Sequence, residues 1–181
     1  LPFGRETVAV DLRGMRVRQL APSAPPGGRE VGTTVGGALD RPIAGLPLLE
    51  IAKNLTIAGA GEALTTVVSP VTLPLFYTTS ANNYPVVYIH DAEVHLSDLT
   101  VDGAGRGNGN YRFVGIGFWN ADGSLTDITV TGVRETPLSG AQHGVGVYAG
   151  NDTGGPYAIA CTDLTVLDYQ KNGVTLLGVG L

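Results

Sequence analysis

"LTDITVTG", residues 125–132, decides the fold, because the chain writes it again with small changes. "LSDLTVDG" stands at 96–103, "CTDLTVLD" at 161–168, and the shorter "KNLTIAG" at 53–59. Aligned on the Asx residue, these stretches put Asn54, Asp98, Asp127 and Asp163 in one column, separated by 44, 29 and 36 residues. The glycines that open "GIGFWN", "GVGVYAG" and "GVTLLG" (Gly115, Gly144 and Gly173) give a steadier register, 29 residues apart both times, with the surplus residues falling in "AGNDTGGPY" at 149–157. Short strands that keep their place while insertions collect at turns predict a solenoid.

Side chains alternate along a strand, so each repeat assigns its own faces. Leu55, Ile57, Leu99, Val101, Ile128, Val130, Leu164 and Val166 point one way and build stacked aliphatic columns. Thr56, Thr100, Thr129 and Thr165 point the other way as an outer ladder. Two residues before the aspartates stand Leu96, Leu125 and Cys161, which extend the inward columns and make Cys161 a small buried hydrophobe. Successive coils stack about 4.8 Å apart, as neighbouring strands do.

Composition agrees with an all-β chain. Of 181 residues, 27 are Gly and 11 Pro, and only 15% are charged, which suits short strands and many tight turns. A formal net charge of −5 argues against a nucleic-acid partner, because affinity for phosphates rests on Lys and Arg displacing counterions. No apolar run is long enough to span a bilayer. The single Cys161 allows no internal disulfide, so packing holds the fold. Residues 46–181 carry the coils. Residues 1–45 show no repeat: "ETVAVDLRGMRVRQL" at 6–20 reads as one extended strand, and "APSAPPGG" at 21–28 as a loop, together a cap for the first coil. The closing "GVTLLGVGL" has strand character and no polar cap, so the end is expected to be a cut through a longer solenoid that self-associates through its open C-terminal coil.

"NLTIAGAGEALTTVVSP" (54–70), "LSDLTVDGAG" (96–105), "GIGFWNADGSLTDITVTG" (115–132), "HGVGVYAG" (143–150) and "DYQKNGVTLLG" (168–178) resemble the repeats of the pectin-lyase-like superfamily. The likeness is to bacterial secreted β-helix repeat proteins of unassigned activity. It implies a right-handed parallel β-helix and a secreted or cell-surface location. It also implies two enzymatic classes. Lyases of this fold combine acidic Ca²⁺ ligands with an Arg or Lys that takes the proton beside a uronate carboxylate. Hydrolases pair two acids across the scissile bond. "GAQHG" at 140–144 matches the Gly-His-Gly of polygalacturonases only in part, and their Asn-Thr-Asp and paired-Asp motifs are missing, which weighs against hydrolysis.

The candidate binding residues lie in the turns that precede the Gly strands: "GAGRGNGNYR" (103–112), "VRETPLSGAQH" (133–143) and "LDYQKN" (167–172). They bring Arg106, Tyr111, Arg112, Arg134, Glu135, Gln142, His143, Tyr169 and Lys171 to one edge. Loops on a rigid scaffold are where a solenoid presents its binding surface. Tyr rings that stack on sugars, beside Arg and Lys, suit an acidic polysaccharide. The plain alternative is a solvated edge, with His143 a solvent-facing turn residue. Asp98, Asp127 and Asp163 serve as turn residues whose side chains bond local amides, or hold Ca²⁺ with Asp102; the turn reading is preferred, and no cofactor is required. "HDAEVH" at 90–95 also reads as a structural turn rather than a metal site. The function expected is an exported structural or glycan-contacting module, with a polysaccharide lyase or epimerase as the alternative.

Overall fold

The computed structural model describes residues 7–11, 16–20 and 49–180. The stretch at 21–28 and most of the proposed cap lie outside them. β1 (Thr7–Asp11) and β2 (Arg16–Leu20) pair antiparallel, with Val10 opposite Val17. The stretch read as one extended strand is therefore two strands, and Gly14 stands in the sequence between them. β3 (Leu49–Ile51), β4 (Leu55–Ala58) and β5 (Thr66–Val68) follow. β6 (Tyr77–Thr78), β7 (Asn82–His90), β8 (Glu93–Asp102), β9 (Phe113–Trp119) and β10 (Asp122–Thr131) come next. β11 (Val145–Gly150), β12 (Ile159–Val166) and β13 (Asn172–Leu177) complete the order.

These strands form two sheets and a parallel β-helix. The first runs β12-β10-β8-β4-β1-β2 with β5 also on β8, and the second runs β13-β11-β9-β7-β3. From β7 to β13 the chain alternates between the sheets, so each coil adds one strand to each and pairs in parallel with the coils beside it. No α-helix occurs among the described residues.

The repeat explains the core. Leu99, Ile128 and Leu164 stand in register, as do Val101, Val130 and Val166, and Leu96, Leu125 and Cys161. The first two members of each column are buried and the last is half-buried. Across the interior, Val87, Ile116 and Val147 form the facing column, with Ile89, Phe118 and Ala149 beside it.

Leu125 and Ile128 are three residues apart, yet both point inward, which a straight strand forbids. The residue between that resets the alternation is Asp127, at φ 51°, and Asp98 (58°) and Asp163 (51°) do the same in their coils. Asp tolerates this left-handed conformation better than most side chains do. The aspartate column is thus a row of kinks. The column lies inside the strands and not at turns, which corrects the turn reading, and what it requires is a positive φ rather than a bond to a local amide.

Two alignments need correction. Asn54 does not join the column: β4 pairs with the front of β8, Leu55 opposite Val94 and Ile57 opposite Leu96, and Asn54 Oδ1 accepts from Glu93 N at 2.9 Å. Gly59 takes the place beside Asp98, donating to Ser97 O at 2.8 Å, and β5 then pairs with Thr100–Asp102. The glycine column is Gly115, Gly146 and Gly173, not Gly144. "HGVGVY" offers two glycines two residues apart, and a slip of two leaves every side chain on its own face, so alternation cannot choose between them. The surplus therefore divides between the turn before β11 and the excursion before β12.

A candidate binding edge

Backbone bonds continue the ladder through the turns. Gly103 and Gly105 donate to Thr131 and Gly132, Gly107 donates to Arg134, and Leu167, Gln170 and Lys171 donate to Val130, Val133 and Gly144. The three loops of the expected edge do lie over one another. Their side chains are less uniform than the sequence suggested.

Arg134 is engaged within the edge. Its Nε donates to Asp168 Oδ1 in the next coil at 2.6 Å, and its Nη1 donates to Glu135 O and Thr136 Oγ1. Arg106 donates from Nη1 to the Ser69 carbonyl. Arg112, at φ 54°, reaches Ser80 Oγ at 3.0 Å. The Lys171 side chain is exposed. Tyr111 and Tyr169 are 67% and 42% exposed, the latter with its ring against Gly173. Gln142 stays at the surface and donates to the Gly140 carbonyl. Lys171 is therefore the exposed cation of the edge, whereas Arg112 is half-buried with its guanidinium on Ser80; each lies near an exposed tyrosine in sequence.

His143 is not solvent-facing. It is 3% exposed, with Nε2 3.1 Å from Glu135 Oε1 and its ring centroid 5.5 Å from that of Tyr111. The two-residue shift in register explains the error: His143 falls opposite Arg112, before the strand, under a loop that the sequence reading treated as open. Glu135 is anchored as well. Its backbone N–H donates to Gln170 Oε1 at 2.9 Å. A hydrogen bond from Ser139 holds its carboxyl below the ordinary range, against the opposing effect of burial and with His143 and Gln170 adding to it.

No family profile, curated protein or solved structure matches this chain. Site assignment therefore rests on chemistry. Among the described residues, no three His, Cys, Asp or Glu side chains come together to hold a metal ion. His90 and His95 lie on β7 and β8. The first sits between Glu50 and Asp91, and the second meets Ser124 Oγ at 2.9 Å. Cys161 is half-buried, and burial pushes its thiol pKa up, away from the thiolate. No described helix is long and apolar enough to cross a membrane.

Sequence reasoning missed one aromatic assembly. The loop after β5 returns across the outside of the second sheet and lays Tyr77 over Gly117, where the column otherwise carries Tyr88 and Tyr148. Tyr77 stacks against Tyr88 at 5.8 Å and Trp119 at 5.1 Å, and meets Tyr148 at 5.5 Å. The signal was present: a glycine between two tyrosines of a stacked column leaves a gap one ring deep.

Proposed function

We propose that this chain is an exported module, of the pectin-lyase-like kind in bacteria, whose loop edge contacts an acidic glycan at or beyond the cell surface. One observation carries the reading: Tyr111 and Tyr169 stand exposed on stacked, backbone-bonded turns, with Arg112 and Lys171 beside them. Exposed rings supply stacking surface at small entropic cost, and neighbouring cations select a carboxylate-bearing chain. Titration of uronate oligomers at low salt tests it. Binding should weaken with salt and on Lys171→Ala, because that charge is exposed, and less on Arg112→Ala, whose half-buried guanidinium already donates to Ser80. Arg134→Ala should change binding less, since its guanidinium is already held by Asp168. Absence of binding by every oligomer would leave a scaffold role.

A second reading, a lyase or epimerase on uronate polymers, draws support from the Glu135–His143 pair, a carboxylate-oriented imidazole of the kind that accepts protons. Absorbance of the unsaturated product, followed with and without Ca²⁺, separates a lyase from a binding module.

A further inference from the structure

His143 has one ring nitrogen satisfied and one that is not. Nε2 faces Glu135 Oε1, whereas Nδ1 is buried and has no hydrogen-bond partner among the described residues. An ionised carboxylate can only accept, so in the neutral ring Nε2 carries the hydrogen and Nδ1 the lone pair. The same logic fixes the base in hydrolytic triads, where a carboxylate on one nitrogen readies the other. Glu135 is itself held in place through its amide, which donates to Gln170.

Buried acceptors are rarely left unpaired, and each exception calls for a reason. Here the ring packed on the imidazole suggests one. Tyr111 is mostly exposed, tilts 57° against His143, and its hydroxyl makes no hydrogen bond within the described structure. Its side chain can turn aside without breaking a polar contact.

We propose that Tyr111 is a movable cover over an acceptor site, and that His143 Nδ1, oriented by Glu135, takes a hydrogen bond from a hydroxyl of a glycan lying along the edge. The occupant's identity rests on the glycan reading above; the cover and the acceptor do not. Glu135 is a positioning residue.

Three measurements test this on the full chain. Long-range ¹H–¹⁵N spectra of the three histidines should show His143 with its proton on Nε2. Glu135→Gln, able to donate or accept, should relax this to a mixture of tautomers. A proton on Nδ1 in the native protein overturns the acceptor. Diethyl pyrocarbonate, which acylates a neutral imidazole at its free lone pair, should label His143 more slowly than His95, whose side chain is about half exposed. Tyr111→Ala should raise the His143 rate about tenfold, as when a site open a tenth of the time becomes fully open, with His95 unchanged and Tyr111→Phe as slow as native. An unchanged rate in Tyr111→Ala overturns the cover. Finally, a uronate oligomer shown by titration to bind Tyr111→Ala itself should, at a saturating concentration, protect His143 in that variant. One that binds by titration yet gives no protection overturns the proposed contact. Failure of all oligomers to bind, with tautomer and labelling as expected, overturns the glycan as occupant and leaves the covered acceptor standing.

Discussion

The carbonyl oxygen of Gly146 lies 2.5 Å from where a Cβ on Gly115 would stand, and Val130 Cγ1 lies 2.6 Å from the same point. Gly146 repeats the arrangement against Gly173 O and Val166 Cγ1, at 2.7 and 2.2 Å. The two sheets converge at this corner so closely that only a backbone without side chain fits. Gly115→Ala should therefore destabilise the protein by about 1–3 kcal/mol, the usual cost of overpacking. Gly140, with no atom within 4 Å of its notional Cβ, is the control, and Gly140→Ala should be neutral or gain about 0.4–1 kcal/mol through the unfolded chain. Urea unfolding of the two variants checks the corner. Equal stability would show that the sheets can part there.

Asp127 tests what the repeated aspartate is for. If its task is the left-handed kink, Asp127→Asn and Asp127→Gly should fold with stability near that of the native protein. Asp127→Val, β-branched and ill-suited to positive φ, should lose about 1–2 kcal/mol or more. If the column instead held Ca²⁺, Asp127→Asn would be the damaging change and a chelator would lower the melting temperature. Melting curves with and without chelator decide between the two.

The inward columns Leu99–Ile128–Leu164 and Val101–Val130–Val166 were readable because period-two alternation reports directly on burial. The kink that brings Leu125 and Ile128 to one face was hidden in the same letters, since a positive φ leaves no periodic trace beyond the recurring Asp. Asn54 was misplaced because "NLTIAG" has the composition of the rear of the bent strand and the pairing of its front. Gly144 displaced Gly146 because a two-residue slip preserves every face. The loop edge was readable as a place but not as chemistry. Which guanidinium meets Asp168, and whether His143 lies beneath Tyr111, depends on loop paths that no alternation encodes. Tyr77, on the two-residue strand β6 that pairs antiparallel with β7, stands outside the parallel repeat that made the columns readable.

Tyr77 itself carries a cost. It is 2% exposed, and its hydroxyl is buried with no partner among the described residues. Burial foremost, with Tyr148 adding, pushes its pKa well above the ordinary value. A desolvated, unbonded hydroxyl costs about 1–3 kcal/mol, whereas the ring keeps its three aromatic contacts without it. Tyr77→Phe should then raise the melting temperature, and Tyr77→Ala should lower it by emptying the gap over Gly117. A Phe variant less stable than native would mean that the hydroxyl is satisfied.

His90 joins the first complete coil to the strand before it, and its contribution should depend on pH. Nε2 lies 3.1 Å from Glu50 Oε1 on β3, Nδ1 lies 2.9 Å from Asp91 Oδ2, and the ring stacks on Tyr88 at 4.6 Å. Burial tends to lower the His90 pKa, but the hydrogen bonds to Asp91 and Glu50 outweigh it and raise the pKa above 6.5. A raised pKa means that the folded state holds the proton more tightly than the unfolded chain. The stabilisation is therefore complete below about pH 6.5 and is lost as pH climbs through the higher folded value. Both carboxylates are well exposed, so solvent screening limits the gain to about 1 kcal/mol or less. His90→Gln should flatten the stability profile between about pH 6 and pH 8, and added salt should flatten that of the native protein. Denaturant unfolding at stepped pH is the measurement. A native profile that rises across this window, or a His90→Gln profile that falls as steeply as the native one, would place the titrating group elsewhere.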